Sequence, residues 1–248
     1  HNQGVGDAAI IGTDGDVMSE IFNEQKLRNG RKVLPIASES KAPGGVYVED
    51  GKLIDDLNGK AKTVMDLGGL DNLPGPHNAQ NIAAAYAAAR MVGLDTEQIV
   101  QAVQSFSGLA HRQEIIEHFS GVTFVNDSKA TNVGATIAAL RGMDGKVVLI
   151  AGGDSKGADF SPMVEVVKAN ARAVVLIGRD ASRLRDALNG ATQLIDAENM
   201  TDAVEKSRMN AREGDCILLS PACARLDMYK SYEQRGDVFV DAVRSLLS

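Results

Sequence analysis

The chemistry of this sequence is concentrated in five short polar stretches. The densest is FVNDSKATNVG, residues 124–134, where an apolar run gives way to Asn126, Asp127, Ser128, Lys129, Thr131 and Asn132. A turn needs one or two such groups. A carboxylate, an ammonium, two hydroxyls and amides packed together have the chemistry of gripping a charged ligand. GGDSKGADF, residues 152–160, brings Lys156 directly after an apolar VVLIA run. LLSPACARLDMYKSYEQRGDVF, residues 218–239, carries Ser220, Arg225, Leu226 and Tyr232. GPHNAQN, residues 75–81, sets Asn78 and Asn81 three apart near a helix start, where both share one face. GLAHR, residues 108–112, ends on Arg112 and has the look of a domain edge.

Each stretch also has an ordinary reading. Asp and Ser ahead of a helix are common caps, and Gly-Gly-Asp after a strand is a common turn. Asn78 and Asn81 are also plausible caps, and Arg112 reads as a surface arginine. His77, His111 and His118 fit no metal-binding spacing and read as structural or surface residues. The placement of the stretches decides between these readings, and the secondary-structure pattern sets that placement.

From Gln113 onward, apolar runs alternate with helical patterns. Strands are expected at 115–119, 122–125, 147–150, 174–177, 193–195 and 217–219. Helices are expected at 130–140, 162–170, 181–188, 201–211 and 233–247. VVLI, VVLI and ILL are continuously apolar, as strands buried on both faces must be. The fold class that follows is α/β, a Rossmann-like doubly wound, mostly parallel sheet. In such sheets ligands bind at the carboxyl ends of strands, which is where the polar stretches fall. Lys129, Lys156, Arg179 and Arg225 would then form a cationic rim, joined by free N–H groups of a helix starting near Thr131. The first part of the chain is mixed: strands at 8–12, 32–36 and 63–67, and a YVEDGKLI hairpin turning at Asp50-Gly51. A helix runs over 16–28, capped by Asp14 or Asp16, an alanine-rich one over 78–92, and a third over 96–106.

Bulk properties narrow the class. The 248 residues suffice for one large or two ordinary domains, and 44% are apolar. The net charge of −7 weighs against a nucleic-acid partner. Cys216 and Cys223 form no CxxC pair and read as reduced, packed side chains. No run approaches the ~18 apolar residues of a membrane span, and no signal peptide is evident, so a cytoplasmic location is expected. Neither G-x-x-x-x-G-K-[ST] nor a strand-linked G-x-G-x-x-G occurs.

In order and spacing, GPHNAQN, GLAHR, FVNDSKATN, GGDSKGADF and LLSPACARLDMYKSYEQRGDVF together resemble the Mur ligase family, and within it the branch that adds D-glutamate. The resemblance is strong from about Leu73 onward and weak before it. It implies a preceding back part of a P-loop-type central ATPase domain over 1–108 and an amino-acid-binding domain over 109–248. It implies ATP and Mg2+ as cofactors, with UDP-N-acetylmuramoyl-L-alanine and D-glutamate as substrates. ATP would phosphorylate the muramoyl-alanine carboxylate, and the D-glutamate amine would attack the acyl phosphate. Carried over residue by residue, Asn78 and Asn81 match adenine contacts, and Arg112 an arginine reaching the ATP phosphates. Asp127 matches a ribose contact, with Lys129 in the same loop. Thr131 and Lys156 match holders of the D-glutamate carboxylates, and Leu226 and Tyr232 lie in the segment closing over the amino acid. Two positions depart from the pattern: Arg225 stands where serine is usual, and Tyr232 where phenylalanine is usual.

The same resemblance places the P-loop, the magnesium ligands and a carbamylated lysine ahead of His1, with no metal ligand in this chain. The chain is therefore expected to be a monomeric fragment that does not catalyse ligation alone. Two alternatives stand beside it. One is another Mur ligase or a folylpolyglutamate synthetase relative. The other is a non-catalytic module binding a nucleotide or an acidic amino acid.

Overall fold

The computed structural model describes residues 7–27, 32–70, 73, 75–224 and 228–247. By internal contacts the chain divides into two compact units, His1–Ser107 and Gly108–Ser248.

The first unit contains β1 (Ala8–Gly12), α1 (Asp16–Lys26), β2 (Lys32–Ala37), β3 (Val46–Glu49), β4 (Lys52–Asp55), β5 (Lys62–Asp66), α2 (Pro76–Met91) and α3 (Thr96–Ser105). Its sheet runs β1-β2-β3-β4-β5, parallel from β1 to β3 and antiparallel from β3 to β5. Asp50 and Gly51 close the β3–β4 hairpin with φ of 50° and 72°, the positive values a two-residue turn of this twist requires. Ile82, Ala83, Tyr86 and Ala87 of α2 pack on Ile36, Val46, Leu53 and Met65. The small alanines let the helix lie close to the sheet.

Neither expected aspartate caps α1. Its cap is Gly15, with no side-chain bond. Asp14 instead accepts from Ser38 N and Oγ, Glu39 N, Ser40 Oγ and Gln80 Nε2. Five donors outweigh one cap, and they join the loops after β1 and β2 to α2. Burial alone would raise the Asp14 carboxyl; the bonds from Ser38, Glu39 and Ser40 prevail and hold it below the usual carboxylate range.

The second unit contains β6 (Glu114–Phe119), β7 (Val122–Asn126), α4 (Val133–Gly142), β8 (Val147–Gly152), α5 (Val164–Asn170), β9 (Ala171–Ile177), α6 (Ala181–Leu188), β10 (Gln193–Asp196), α7 (Met200–Asn210), β11 (Cys216–Leu219) and α8 (Tyr232–Leu247). A 3-10 turn over Ser161–Met163 precedes α5. The sheet order is β10-β9-β8-β11-β7-β6. All pairings are parallel except β6 with β7.

Side chains alternate between two cores, as strand geometry demands. Val147, Leu149, Val174, Leu176, Cys216 and Leu218 face one core, with α4, α5 and α6. Val148, Ile150, Val175, Ile177, Ile217 and Leu219 face the other, with α7 and α8. Each fully buried side chain of this kind contributes about 1.5–3 kcal/mol. The chain steps from β7 past one position to β8, on to β9 and β10, then returns to insert β11 between β8 and β7. The connections therefore diverge beside β11, where a doubly wound sheet opens a crevice.

Candidate functional site

Three loops leave the carboxyl ends of β7, β11 and β8, and backbone hydrogen bonds knit them side by side. Ala222 N donates to Ala130 O at 3.1 Å, Gly152 N to Pro221 O at 2.9 Å, and Ala224 N to Asp154 O at 2.9 Å. This joins NDSKATN, SPACA and GGDSKGADF along one edge.

In the loop after β7, buried and exposed residues alternate. Asp127, Ser128 and Ala130 are buried, whereas Lys129 and Thr131 are exposed. The buried members anchor the exposed ones. Asp127, 5% exposed, accepts the Gln113 backbone N–H at 3.3 Å and the Ser220 hydroxyl at 3.0 Å. Ser220 Oγ lies 3.1 Å from the Thr136 hydroxyl, which donates to the Ser220 carbonyl at 3.2 Å. Burial drives the Asp127 carboxyl up to about 7, against the opposing pull of Ser220, Gln113 and the Arg112 charge. Thr131 stands ahead of α4 rather than inside it. The helix begins at Val133, three residues later than the expected 130–140 span, because Asn132 caps it by accepting from Ala135 N at 2.9 Å. The Lys129 ammonium lies 3.8 Å from the Tyr232 ring centroid, a cation–π contact.

A buried arginine bolts this loop to its neighbour. Arg235, 1% exposed, donates from Nη2 to Ser128 O at 2.8 Å and from Nε to Ser128 Oγ at 3.0 Å. Its Nη1 reaches Cys223 O and Ala224 O, both at 3.4 Å, and Ser128 Oγ donates to Tyr232 O at 2.7 Å. The next residue, Gly236, packs so closely on His111 and Asn126 that a Cβ there would overlap the His111 ring. His111 has a structural role: Asn126 Nδ2 lies 3.0 Å from its Nδ1.

The loop after β8 is built differently. Gly152 has φ 136°, and a Cβ there would overlap the Ile177 carbonyl oxygen. Lys156 is exposed, with φ 50°, a conformation uncommon for a lysine. Among the described residues, no hydrogen bond or ion pair engages its ammonium. The expected rim is also less cationic than the sequence reading had it. Arg179, one of its four expected cations, pairs with Asp154 at 3.6 Å.

In the first unit, Asn78 is buried and Asn81 exposed, and Asn81 Nδ2 donates to Asn78 Oδ1 at 3.4 Å. They border a groove of about 380 Å³ between α2 and α3, whose floor includes Ile82, Ala85, Ile99 and Val103. Two amides beside an apolar slot can read the edge of a flat base while its faces pack on aliphatic carbon.

Of the sequence-predicted residues, Lys129, Thr131, Lys156 and Tyr232 come to one edge of the second unit, with Asp127 beneath it. Arg112 lies near enough to Asp127 to act on its charge. Arg225 and Leu226 lie outside the described residues. Sequence reasoning named Ser220 but not its bond to Asp127, and gave no role to Thr136, Arg235, Ser155 or Asp180. Only Arg235 left a signal: it recurs with Phe239, Ala242 and Val243 on the buried stripe of α8, where an arginine is anomalous.

Residues 111–223 match the family model described as Mur ligase, glutamate ligase domain. The doubly wound sheet, its knitted loops and this match define the class that the second unit resembles, the glutamate ligase domain of Mur ligases. Among particular proteins, the UDP-N-acetylmuramoylalanine–D-glutamate ligase of Nitrosococcus oceani is 51% identical over 178 residues, 71% of this chain and 39% of that protein. The ligase of the same name from Pelotomaculum thermopropionicum is 38% identical over 247 residues, 99% of this chain and 53% of that protein. The chain thus spans from about two fifths to about half the length of these relatives. A crystal structure of MurF ligase from Thermotoga maritima in complex with ADP has the same fold, with TM-score 0.59, 15% identity, and coverage of 96% of this chain and 54% of that one.

Proposed function

We propose that this chain is the part of an ATP-dependent UDP-N-acetylmuramoylalanine–D-glutamate ligase, an enzyme of peptidoglycan synthesis in the cytoplasm, that holds D-glutamate and much of the nucleotide. The observation that carries this reading is 38% identity along 99% of the chain to a ligase of that name. In the reaction, the γ-phosphoryl group of ATP passes to the alanyl carboxylate of UDP-N-acetylmuramoyl-L-alanine. That carboxylate is a poor acyl donor, and phosphate is a good leaving group. The D-glutamate amine then attacks the acyl carbon, and amide, ADP and phosphate result.

The second unit supports the amino-acid role. Thr131 and Lys156 stand exposed on two loops knitted together through the loop after β11, and an ammonium and a hydroxyl together suit a dicarboxylate through charge-assisted hydrogen bonds. Asn78 and Asn81 border a slot suited to adenine, and the ADP held by the MurF structure is consistent with a nucleotide in this fold. Within the second unit, Lys129 and Arg112 are the proposed nucleotide contacts, with Asp127 anchoring the loop beneath Lys129, and Tyr232, Leu226 and Arg225 are proposed for the amino-acid side. Among the described residues, no three His, Cys, Asp or Glu side chains are grouped to hold a metal.

The test is a pair of titrations of the chain, with D-glutamate and with ATP. Lys156→Ala and Thr131→Ala should weaken D-glutamate binding by about tenfold and leave ATP binding unchanged, and Asn78→Ala should do the reverse. Equal losses for both ligands would refute the assignment. The MurF fold match leaves another Mur ligase as the second reading, and preference for an amino acid other than D-glutamate would establish it.

A further inference from the structure

Lys156 is exposed, yet its backbone is held in a left-handed conformation that a lysine in an unconstrained turn would leave. Gly157 follows with φ 81°, and Ala158 N donates to Ser155 O at 2.9 Å. The result is a tight turn with both central residues left-handed. Lys156 N donates to Asp154 Oδ1 at 2.9 Å, and a second hold comes from outside the turn.

The outside hold comes from the loop between β9 and α6. One oxygen of Asp180, Oδ2, accepts both the Ser155 backbone N–H at 2.7 Å and the Ser155 hydroxyl at 2.5 Å. The same hydroxyl accepts from Arg183 Nη1 at 2.6 Å and from Gly157 N at 3.3 Å. It makes one donation and two acceptances, its full complement. Asp180 N donates to Gly153 O at 3.1 Å, closing the contact from the other side. Ser155 is 6% exposed, while the Asp180 and Arg183 side chains that grip it keep contact with solvent. Asp180 sits at the N-cap of α6, where an aspartate would ordinarily bond its own helix, but it makes no such bond. Its carboxylate is directed to the loop that carries Lys156. The two Ser155 bonds, chiefly the hydroxyl, keep that carboxyl below the usual range and so charged.

We propose that Asp180 is a positioning residue for Lys156. Acting through Ser155, it fixes the 155–158 turn in the shape that presents the Lys156 ammonium to a D-glutamate carboxylate. This rests on the amino-acid role proposed above. A left-handed backbone at one functional residue, held by a neighbouring loop as well as by bonds within its own turn, is the pattern of a preorganised ligand-binding group.

The experiment titrates the full chain with D-glutamate, using Lys156→Ala, Asp180→Ala, Asp180→Asn and the Lys156→Ala/Asp180→Ala double variant, with ATP as the control ligand. Asp180→Ala should weaken D-glutamate binding by about tenfold and leave ATP binding unchanged. Asp180→Asn keeps an oxygen for the Ser155 N–H and should recover to within about threefold of the parent. In the double variant, Asp180→Ala should add nothing to Lys156→Ala, because the lysine it positions is gone. Additive losses would assign Asp180 a merely structural role and overturn the proposal. An unchanged Asp180→Ala beside a weakened Lys156→Ala would overturn it and leave the D-glutamate reading standing. If the parent and Lys156→Ala respond to D-glutamate alike, the underlying reading falls and takes this inference with it. Should Asp180→Ala not fold, Ser155→Ala decides: a loss of about threefold is expected, and no loss overturns the proposal.

Discussion

The loops after β7 and β8 serve one edge of one sheet, but they are fixed by opposite means. The β7 loop is held from below, by Asp127, Ser128 and Arg235, all nearly inaccessible to water. The β8 loop is held from the side, by Asp180 and Arg183 acting on Ser155, around a lysine in a strained conformation. Burial gives rigidity, but it charges a desolvation cost to every polar group it encloses. Lateral clamping avoids that cost and relies on glycines to let backbones meet. The β7 loop should therefore respond to pH and to the loss of a buried donor, and the β8 loop to added bulk.

The largest effect should come from adding bulk. Gly152→Ala places a methyl group on the Ile177 carbonyl at a φ of 136°. A loss of more than about 4 kcal/mol is expected in urea denaturation. A variant within 1 kcal/mol of the parent, by the same order-of-magnitude scale, would end the claim of obligatory close approach.

Next is pH. The folded state raises the Asp127 carboxyl from 3.8 to about 7. The native state then binds more protons than the unfolded chain between these values. Its stabilising contribution is complete below pH 3.8 and is lost as pH rises through about 7. The loss is about 4 kcal/mol if the whole shift is expressed. Asp127→Asn can still accept from Gln113 N and should flatten that slope. A variant with the parent's slope would remove Asp127 as its source.

Arg235→Met comes third, at about 3 kcal/mol, because the Ser128, Cys223 and Ala224 carbonyls lose a buried donor. It spans two loops, so it should weaken ATP and D-glutamate binding together, unlike Asp180→Ala. Selective loss of one ligand would break the contrast between the two loops. The smallest effect is expected from Asn132→Ala, which removes the α4 cap and should cost about 1 kcal/mol in thermal unfolding.

Much of the fold was legible in the sequence because burial on two faces leaves continuous apolar runs. VVLI, VVLI and ILL became β8, β9 and β11, the interior of the sheet. The Asp50-Gly51 hairpin was legible because only such residues take two positive φ values cheaply. Thr131, Lys156 and Tyr232 became candidates through motif resemblance. The bonds made by Asp180, Ser220 and Thr136 were not legible, because an aspartate before a helix or a serine after a strand has a local use that hides a distant one. Asp14 misled for the same reason: it looked like a cap and is a tie between loops.

By itself, the sequence determined the alternation of elements and the positions of the exposed polar stretches. Both follow from local periodicity, and a strand's carboxyl end is fixed once the strand is. Only the tertiary structure decided that β11 inserts between β7 and β8, which makes neighbours of loops about 90 residues apart in the chain. It also decided which hydroxyl meets which carboxylate. Such pairings depend on strand order and on approaches allowed by single glycines, and neither leaves a periodic trace in the chain.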